Sequence, residues 1–251
     1  MSQPSLDNDL WCRRYRPTDT ATARLVCLPH AGGSASFFLP VSKALSPEVD
    51  VVSVQYPGRQ DRRNEKPVTD LSLLADQVHA VLRNQPGELP LTFFGHSMGA
   101  SLAFEVALRM EADNHGPVRL FASGRRAPSV FREETVHRLD DAGLLAAIRE
   151  LDGTSSVLLN DDELMRAALP ALRADYRAAE LYQGRPGATV NCPITVLTGD
   201  RDPKTSLDDA QAWARHTTSD SFDVKVFPGG HFFLSDQTDD VIKVLDQHFQ
   251  G

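Results

Sequence analysis

The sequence predicts an α/β protein built around a mainly parallel β-sheet that is flanked by helices. Short apolar runs alternate with segments whose apolar residues recur at helical spacing, which is the pattern of successive β-α units. The length of 251 residues fits one such domain better than two. Hydrophobic residues make up 41% of the chain and charged residues 24%, as a globular protein with a buried core requires. We therefore expect residues 1–251 to form a single domain.

Six short runs along the chain predict strands. All of them are apolar, as strands covered by helices on both faces should be. Helical periodicity in the segments between them predicts helices that pack on the sheet. The predicted strands lie at residues 24–28, 50–54, 91–94, 118–122, 194–198 and 222–227, and the clearest helical patterns lie at residues 71–82, 102–110 and 241–249.

The segment at residues 130–182 interrupts this alternation, because its apolar residues follow helical spacing throughout and no strand-like run intervenes. A helical insertion between two strands predicts a lid over one edge of the sheet, and a rigid helical subdomain is the alternative. The segment also carries more apolar residues than one sheet-facing stripe needs, so we expect some to line a cavity. These residues include Leu158, Leu159, Leu164 and Met165.

Ser97 is the centre of a G-x-S-x-G pentapeptide that follows an apolar strand and precedes a helical pattern. This strand–turn–helix context is typical of a nucleophile elbow, in which glycines on either side of the serine let strand and helix approach closely. The serine hydroxyl then stands at the N-terminus of a helix. The backbone N–H of Met98 can stabilise a developing oxyanion there.

A serine hydroxyl needs a base, and the sequence places an acid and then a histidine downstream of Ser97. Asp202 and His231 each follow a predicted strand, so both should lie at the same edge of the sheet as the serine. Asp200 competes with Asp202 for the role of orienting the imidazole. It could instead cap the turn or pair with Arg201.

A second oxyanion donor is expected from the loop that follows the first predicted strand. Gly32 and Gly33 in this loop allow backbone amides to turn inward without a Cβ penalty. We therefore predict that the N–H of Ala31 joins that of Met98. His30 precedes the serine in the chain and more plausibly braces the loop than acts as the base.

Together these motifs resemble the type II thioesterases of polyketide synthase and nonribosomal peptide synthetase systems, over nearly the whole chain. The resemblance implies an α/β-hydrolase that removes aberrant or stalled acyl groups from the phosphopantetheine arm of acyl or peptidyl carrier proteins. It also implies that Ser97, Asp202 and His231 form the catalytic triad and that no cofactor is required. The segments that carry the resemblance are residues 29–34, 56–59 with Arg62, 95–99, 172–176, 199–203 and 228–232.

Composition narrows the function classes further. The formal charge of −8, from 26 Lys and Arg against 34 Asp and Glu, argues against binding to nucleic acid. The N-terminus lacks the pattern of a signal peptide and no apolar run approaches the ~18 residues of a membrane span, so a cytoplasmic protein without membrane contact is expected.

Cys12, Cys27 and Cys192 are odd in number and widely spaced, which suggests neither a disulfide framework nor a zinc or other metal site. We expect a monomer.

Carrier proteins of the kind implied by the resemblance are generally acidic, and this chain is acidic as well. Positive charge would therefore have to be concentrated locally for docking. The candidate docking residues follow two predicted strand ends, and the alternative is that they are solvated surface side chains paired with Asp61 and Glu65. They are Arg59, Arg62 and Arg63 at the first strand end, and Arg125 and Arg126 at the second.

Other functions remain open at this stage. A general serine esterase or an acyl-CoA thioesterase would use the same triad. A malonyl-type acyltransferase also carries a G-H-S-x-G serine, but the late aspartate and histidine fit hydrolysis better. A non-catalytic protein that binds carriers is disfavoured, because all three triad side chains are present.

Overall fold

The computed structural model of the protein describes residues 8–85, 89–152 and 162–250. Seven strands form one sheet in the order β1-β3-β2-β4-β5-β6-β7, in which β1 pairs antiparallel with β3 and all other pairs are parallel. The strands are β1 (Cys12–Arg13), β2 (Ala23–Leu28), β3 (Val49–Val54), β4 (Leu91–His96), β5 (Arg119–Ser123), β6 (Ile194–Gly199) and β7 (Phe222–Phe227).

Helices cover both faces of this sheet. Alternate residues of a strand point to opposite faces, so Val26 of β2 joins the core on one side and Leu25 joins the core on the other. The α-helices are α1 (Asn8–Trp11), α2 (Leu39–Leu45), α3 (Leu71–Leu82), α4 (Met98–Ala112), α5 (Asp141–Asp152), α6 (Asp162–Leu181), α7 (Leu207–Gln211), α8 (Phe233–Asp236) and α9 (Thr238–Gln250). Helices α3 and α4 pack on the first face and α2 and α9 on the second.

All six predicted strands are present, with bounds that differ by at most two residues from those expected. The expectation that each would be covered on both faces is wrong for β7. This strand lies at the end of the sheet, and three of its six residues are exposed, including Val226. The antiparallel strand β1 was not predicted, because a run of two residues carries no periodicity.

Helices follow one another between β5 and β6 in the described part of this region. A short 3-10 turn (Val136–Arg138) precedes α5 and α6, and Leu144, Leu169 and Leu172 form a small core of their own. Leu158 and Leu159 lie outside the described residues, as do the side chains of Leu164 and Met165. The role of the segment as a lid stays a prediction.

The prediction that five arginines are free to dock a carrier is wrong for four of them, because Arg59, Arg62 and Arg126 are buried and Arg125 is bound between α4 and α6. Arg62 is almost fully buried over the ring of Trp11, with its guanidinium carbon 4.0 Å from the ring centroid. Its Nη1 donates to the backbone oxygen of Gln55 at 2.7 Å, and the side chain pairs with Glu65. These partners draw the guanidinium inward, so it cannot offer its charge to a docking protein.

Arg59 and Arg126 are buried for a similar reason, since each pairs with a carboxylate, which α6 supplies for Arg59 and a residue eight positions further along the chain supplies for Arg126. Arg59 pairs with Asp175 at 2.6 Å and Arg126 with Glu134 at 2.5 Å. Arg63 is the exposed member of the predicted set.

Within the described ranges, no helix is both long and apolar enough to cross a bilayer. The same residues contain no group of three or more histidine, cysteine, aspartate or glutamate side chains placed to hold a metal ion. All three cysteines are buried and free.

The buried position of Arg62 leads to a test of stability. Arg62→Glu should lower the free energy of unfolding by about 3 to 5 kcal/mol, because it removes a buried cation from its partners and leaves an unpaired carboxylate in their place. The matched control Arg63→Glu changes the exposed neighbour and should stay within about 0.5 kcal/mol of the parent. Urea unfolding of the three proteins measures this, and equal midpoints for both variants would contradict the placement of Arg62.

Candidate active site

Ser97 occupies a sharp turn between β4 and α4. Its backbone angles are φ 55° and ψ −118°, a left-handed conformation that a residue with a Cβ rarely adopts. The amide of Ser97 donates to the carbonyl oxygen of Ser123 on β5 at 2.8 Å, which anchors the turn to the neighbouring strand. The side chain is partly exposed at the carboxyl edge of the sheet.

The glycines on either side of Ser97 are explained by close backbone contacts. A Cβ on Gly95 would lie 2.1 Å from the carbonyl oxygen of Gly99, and a Cβ on Gly99 would lie 2.0 Å from the carbonyl oxygen of Leu28. Both distances are far below van der Waals contact with backbone atoms that cannot move aside. The predicted nucleophile elbow is therefore formed as its sequence pattern requires.

His231 links Ser97 to Asp202. Its Nε2 lies 2.9 Å from Ser97 Oγ, and its Nδ1 lies 3.0 Å from both carboxylate oxygens of Asp202. The imidazole and the carboxylate are buried, and each lies on a loop that follows β7 or β6. The structure thus brings together the three side chains that the sequence selected, in the geometry of a nucleophile, a base and an orienting acid.

Asp200 occupies a different place from Asp202. It is exposed, accepts a hydrogen bond from the amide of Gly229 at 2.8 Å and lies near Arg201. This contact braces the loop that carries His231. The geometry therefore assigns contact with the imidazole to Asp202 and the turn-capping alternative to Asp200.

The backbone amides of Ala31 and Met98 are among those that donate to no acceptor within the described part of the chain. Ala31 lines the same cavity as Ser97 and His231, and Met98 is the first residue of α4. The loop that carries Ala31 is held at its start, where Tyr56 donates to the carbonyl oxygen of Pro29 at 3.0 Å. The role of the two amides as oxyanion donors stays a prediction.

Two further histidines pack around His231. The ring of His30 lies between those of Phe37 and Phe232, and the ring of His96 lies 5.3 Å from that of His231. Loss of water on burial, together with the nearby positive charges of His231 and Arg59, lowers the pKa of His30 to about 3. Burial also lowers the pKa of His96 well below its ordinary value. Both rings are thus held neutral beside the base.

Arg125 and residues of α6 form the far wall of the site cavity, together with Glu134 and Lys204. The Nε of Arg125 donates to Ser101 Oγ at 3.0 Å, and its Nη2 donates to the carbonyl oxygen of Ala179 at 2.7 Å. Burial lowers the pKa of this guanidinium to about 10. The side chain predicted to dock a carrier instead connects α4 to α6.

The sequence assigned no role to Asp175, although it belongs to one of the segments that carry the resemblance. The structure buries it on α6, where it accepts hydrogen bonds from Arg59 and from the amide of Gly32. No local pattern predicts this contact, because its partners lie more than 110 residues away in the chain. Its place in the segment at residues 172–176, which carries part of the resemblance, was the available signal.

Comparisons with known proteins agree on one family. The profile of the thioesterase domain matches residues 23–249. The thioesterase PikA5 of Streptomyces venezuelae is 50% identical over 246 residues, which cover 97% of this chain and 87% of that protein. The solved structure of the type II thioesterase BorB from the borrelidin biosynthetic cluster superimposes with a TM-score of 0.91 at 49% identity and covers 96% of this chain and 98% of that one. YbtT, the type II thioesterase from the yersiniabactin NRPS/PKS pathway, gives a TM-score of 0.82 at 31% identity and covers 96% and 98%.

The low pKa of His30 should appear in the pH dependence of stability. Below pH 6.5 the unfolded chain binds a proton at this position and the folded protein does not, so the free energy of unfolding falls as the pH falls toward about 3. Between pH 7 and 5.5 this one group should cost about 1 kcal/mol. His30→Gln should lose about that much less than the parent over the same interval, measured by urea unfolding. The exposed-site control His115→Gln should follow the parent, and identical slopes for parent and His30→Gln would refute the assignment.

Proposed function

The chain belongs to the thioesterase family and is a type II thioesterase of polyketide and nonribosomal peptide biosynthesis with an α/β-hydrolase fold, and we propose that it hydrolyses acyl groups from the phosphopantetheine arm of carrier proteins. The resemblance that the sequence motifs indicated is confirmed. The proposed task is editing, in which aberrant or stalled acyl groups are removed so that the carrier can be loaded again. The contact chain from Ser97 Oγ through His231 to Asp202 is the single observation that carries the hydrolytic mechanism, and similarity to type II thioesterases supports the carrier-bound substrate.

Acylation of Ser97 is the first proposed half-reaction. Ser97 Oγ attacks the thioester carbonyl carbon while His231 Nε2 takes the hydroxyl proton. Asp202 holds the imidazole in the required tautomer and stabilises the imidazolium. The carbonyl oxygen becomes an oxyanion between the amides of Ala31 and Met98. The C–S bond then breaks, and the pantetheine sulfur leaves as a thiol with the proton from His231.

Deacylation repeats these steps with water. His231 takes a proton from the water as its oxygen attacks the Ser97 ester, and the second tetrahedral oxyanion is bound by the same two amides. When this intermediate collapses, the proton returns from His231 to Ser97 Oγ and the acyl group leaves as a carboxylic acid. The enzyme is thereby restored without a cofactor.

The helical segment at residues 130–182 is proposed to cover the site as a lid. Tyr176, Ala179 and Glu180 of α6 line the same cavity as Ser97 and His231, so this helix bounds the space into which the acyl group must enter. Carrier proteins are proposed as the partners because the type II relatives belong to pathways that hold their intermediates on such carriers. Contact between Arg63 and a carrier remains part of this proposal.

The roles of the two aspartates can be separated by amide variants. Asp202→Asn should lower kcat by about 10⁴-fold, because the imidazole loses the acceptor that fixes its tautomer. Asp200→Asn is the matched control and should retain most of the activity, since its contact lies on the amide of Gly229. Both are assayed with one acyl-N-acetylcysteamine thioester, next to Ser97→Ala, which should form no covalent acyl adduct by mass spectrometry. The reverse ranking of the aspartates, or full turnover by Ser97→Ala, would overturn the mechanism.

The substrate class can be tested with one acyl group on several donors. We expect the highest kcat/KM for the acyl group on a phosphopantetheinylated carrier domain, and lower values for the same group on coenzyme A, on N-acetylcysteamine and in an oxygen ester. A general esterase would prefer the oxygen ester. An acyl-CoA thioesterase would favour coenzyme A over the carrier. Either preference would contradict the editing function.

A further inference from the structure

A buried ion pair joins α6 to the loop that carries Ala31. Arg59 and Asp175 face each other as a planar fork and a carboxylate, with Nη1 to Oδ2 at 2.6 Å and Nη2 to Oδ1 at 2.9 Å. Their side chains are only 8% and 2% exposed. Such a bidentate pair fixes the direction of both side chains as well as the distance between them.

Two further hydrogen bonds of this pair are directed at the loop. Asp175 Oδ2 accepts the amide proton of Gly32 at 2.8 Å, and Arg59 Nη1 donates to the carbonyl oxygen of Gly33 at 3.1 Å. The other guanidinium nitrogens donate to the carbonyl oxygen of Pro57. The ion pair therefore holds an N–H and a C=O in the two residues that directly follow Ala31.

A second contact brings α6 against the same loop. Gly32 has φ +76°, and a Cβ at this position would lie 2.1 Å from Cδ2 of Leu172. Leu172 lies about one turn before Asp175 on α6, so both residues face the loop. The helix thus touches Gly32 through an apolar side chain and a carboxylate.

The loop that carries Ala31 needs this restraint because two glycines follow Ala31. Gly32 and Gly33 leave the backbone free to rotate, and an oxyanion hole is effective only when its N–H groups already point at the place where charge develops. A buried ion pair costs desolvation and is seldom a gain in stability over apolar packing. Here the ion pair instead fixes the direction of the N–H and C=O groups of the loop.

We propose that Asp175 is a positioning residue of the oxyanion hole, which acts with Arg59 to aim the amide of Ala31 and makes α6 a part of the catalytic apparatus. The inference rests on the proposed function, since it takes the Ala31 amide as an oxyanion donor. Asp175 touches no reacting atom and acts through the loop alone. Its loss should therefore weaken binding of the tetrahedral state more than binding of the substrate.

Asp175→Asn is the test variant. The amide group keeps the shape of the carboxylate, but its NH₂ cannot accept a hydrogen bond. Arg59 therefore loses an acceptor in either orientation of the amide, and Gly32 also loses its acceptor when the NH₂ takes the place of Oδ2. We expect kcat on an acyl-N-acetylcysteamine thioester to fall by about 10- to 100-fold with KM within about threefold, somewhat less than the loss of an oxyanion donor itself. The affinity for a trifluoromethyl ketone, which forms a tetrahedral alkoxide with the serine, should fall in parallel with kcat/KM.

The matched control is Asp141→Asn, which removes the α5 partner of Arg173 in an exposed ion pair between α5 and α6. It should leave kcat and ketone affinity unchanged. Arg59→Lys is the second variant, which keeps the charge but loses the fork, and it decides the question if Asp175→Asn does not fold. Burst titration normalises every rate to the concentration of competent serine.

The outcomes separate the inference from the function on which it depends. If Ser97→Ala is inactive and Asp175→Asn or Arg59→Lys folds with normal kcat and normal ketone affinity, the positioning role is refuted alone. A variant that loses stability while its kcat per competent site stays at the parent value refutes it as well. If Ser97→Ala keeps full turnover, the proposed function itself fails, whatever the other variants do.

Discussion

The close approach of α4 to β2 is the constraint on which the site depends. The Gly99 backbone lies directly against the Leu28 carbonyl, where even a methyl group would be 2.0 Å from the oxygen. This contact holds the start of α4 against the end of β2, directly after the left-handed turn at Ser97. Because the loop with Ala31 continues from Leu28, the same contact sets how far the serine lies from that loop. Backbone contacts therefore position the nucleophile and the proposed oxyanion donors, and side-chain contacts add to this positioning.

The parts of the site that the sequence predicted are those with a local signal. Gly95 and Gly99 mark the elbow, and strand ends mark the loops of Asp202 and His231, because parallel strands bring their carboxyl ends to one edge. The choice between Asp200 and Asp202 stayed open for a physical reason. Two residues on one turn share every sequence property, and only the direction of each side chain in the folded loop separates them.

Whether each arginine side chain is buried or exposed could not be predicted in the same way. The sequence places Arg59 and Arg62 correctly after a strand, but whether such a side chain points to water depends on partners far along the chain. Asp175 is 116 residues from Arg59, and Trp11 lies before the first long strand. The sequence also did not indicate that β7 lies at the edge of the sheet, since its apolar run resembles that of a central strand. In both cases the deciding information includes a contact in the folded chain, which composition and periodicity do not contain.

The position of β7 at the edge of the sheet determines which part of the catalytic site unfolds first. Ser97 follows the central strand β4, which pairs on both sides, whereas His231 follows β7, which pairs only with β6 among the described strands. A strand held on one side opens with a smaller free energy than a strand at the centre of a sheet. Heating should therefore detach the base while the nucleophile is still in place. The enzyme would then be inactivated by local fraying at temperatures where most of its secondary structure persists, and its working range would be set by one edge and not by the core.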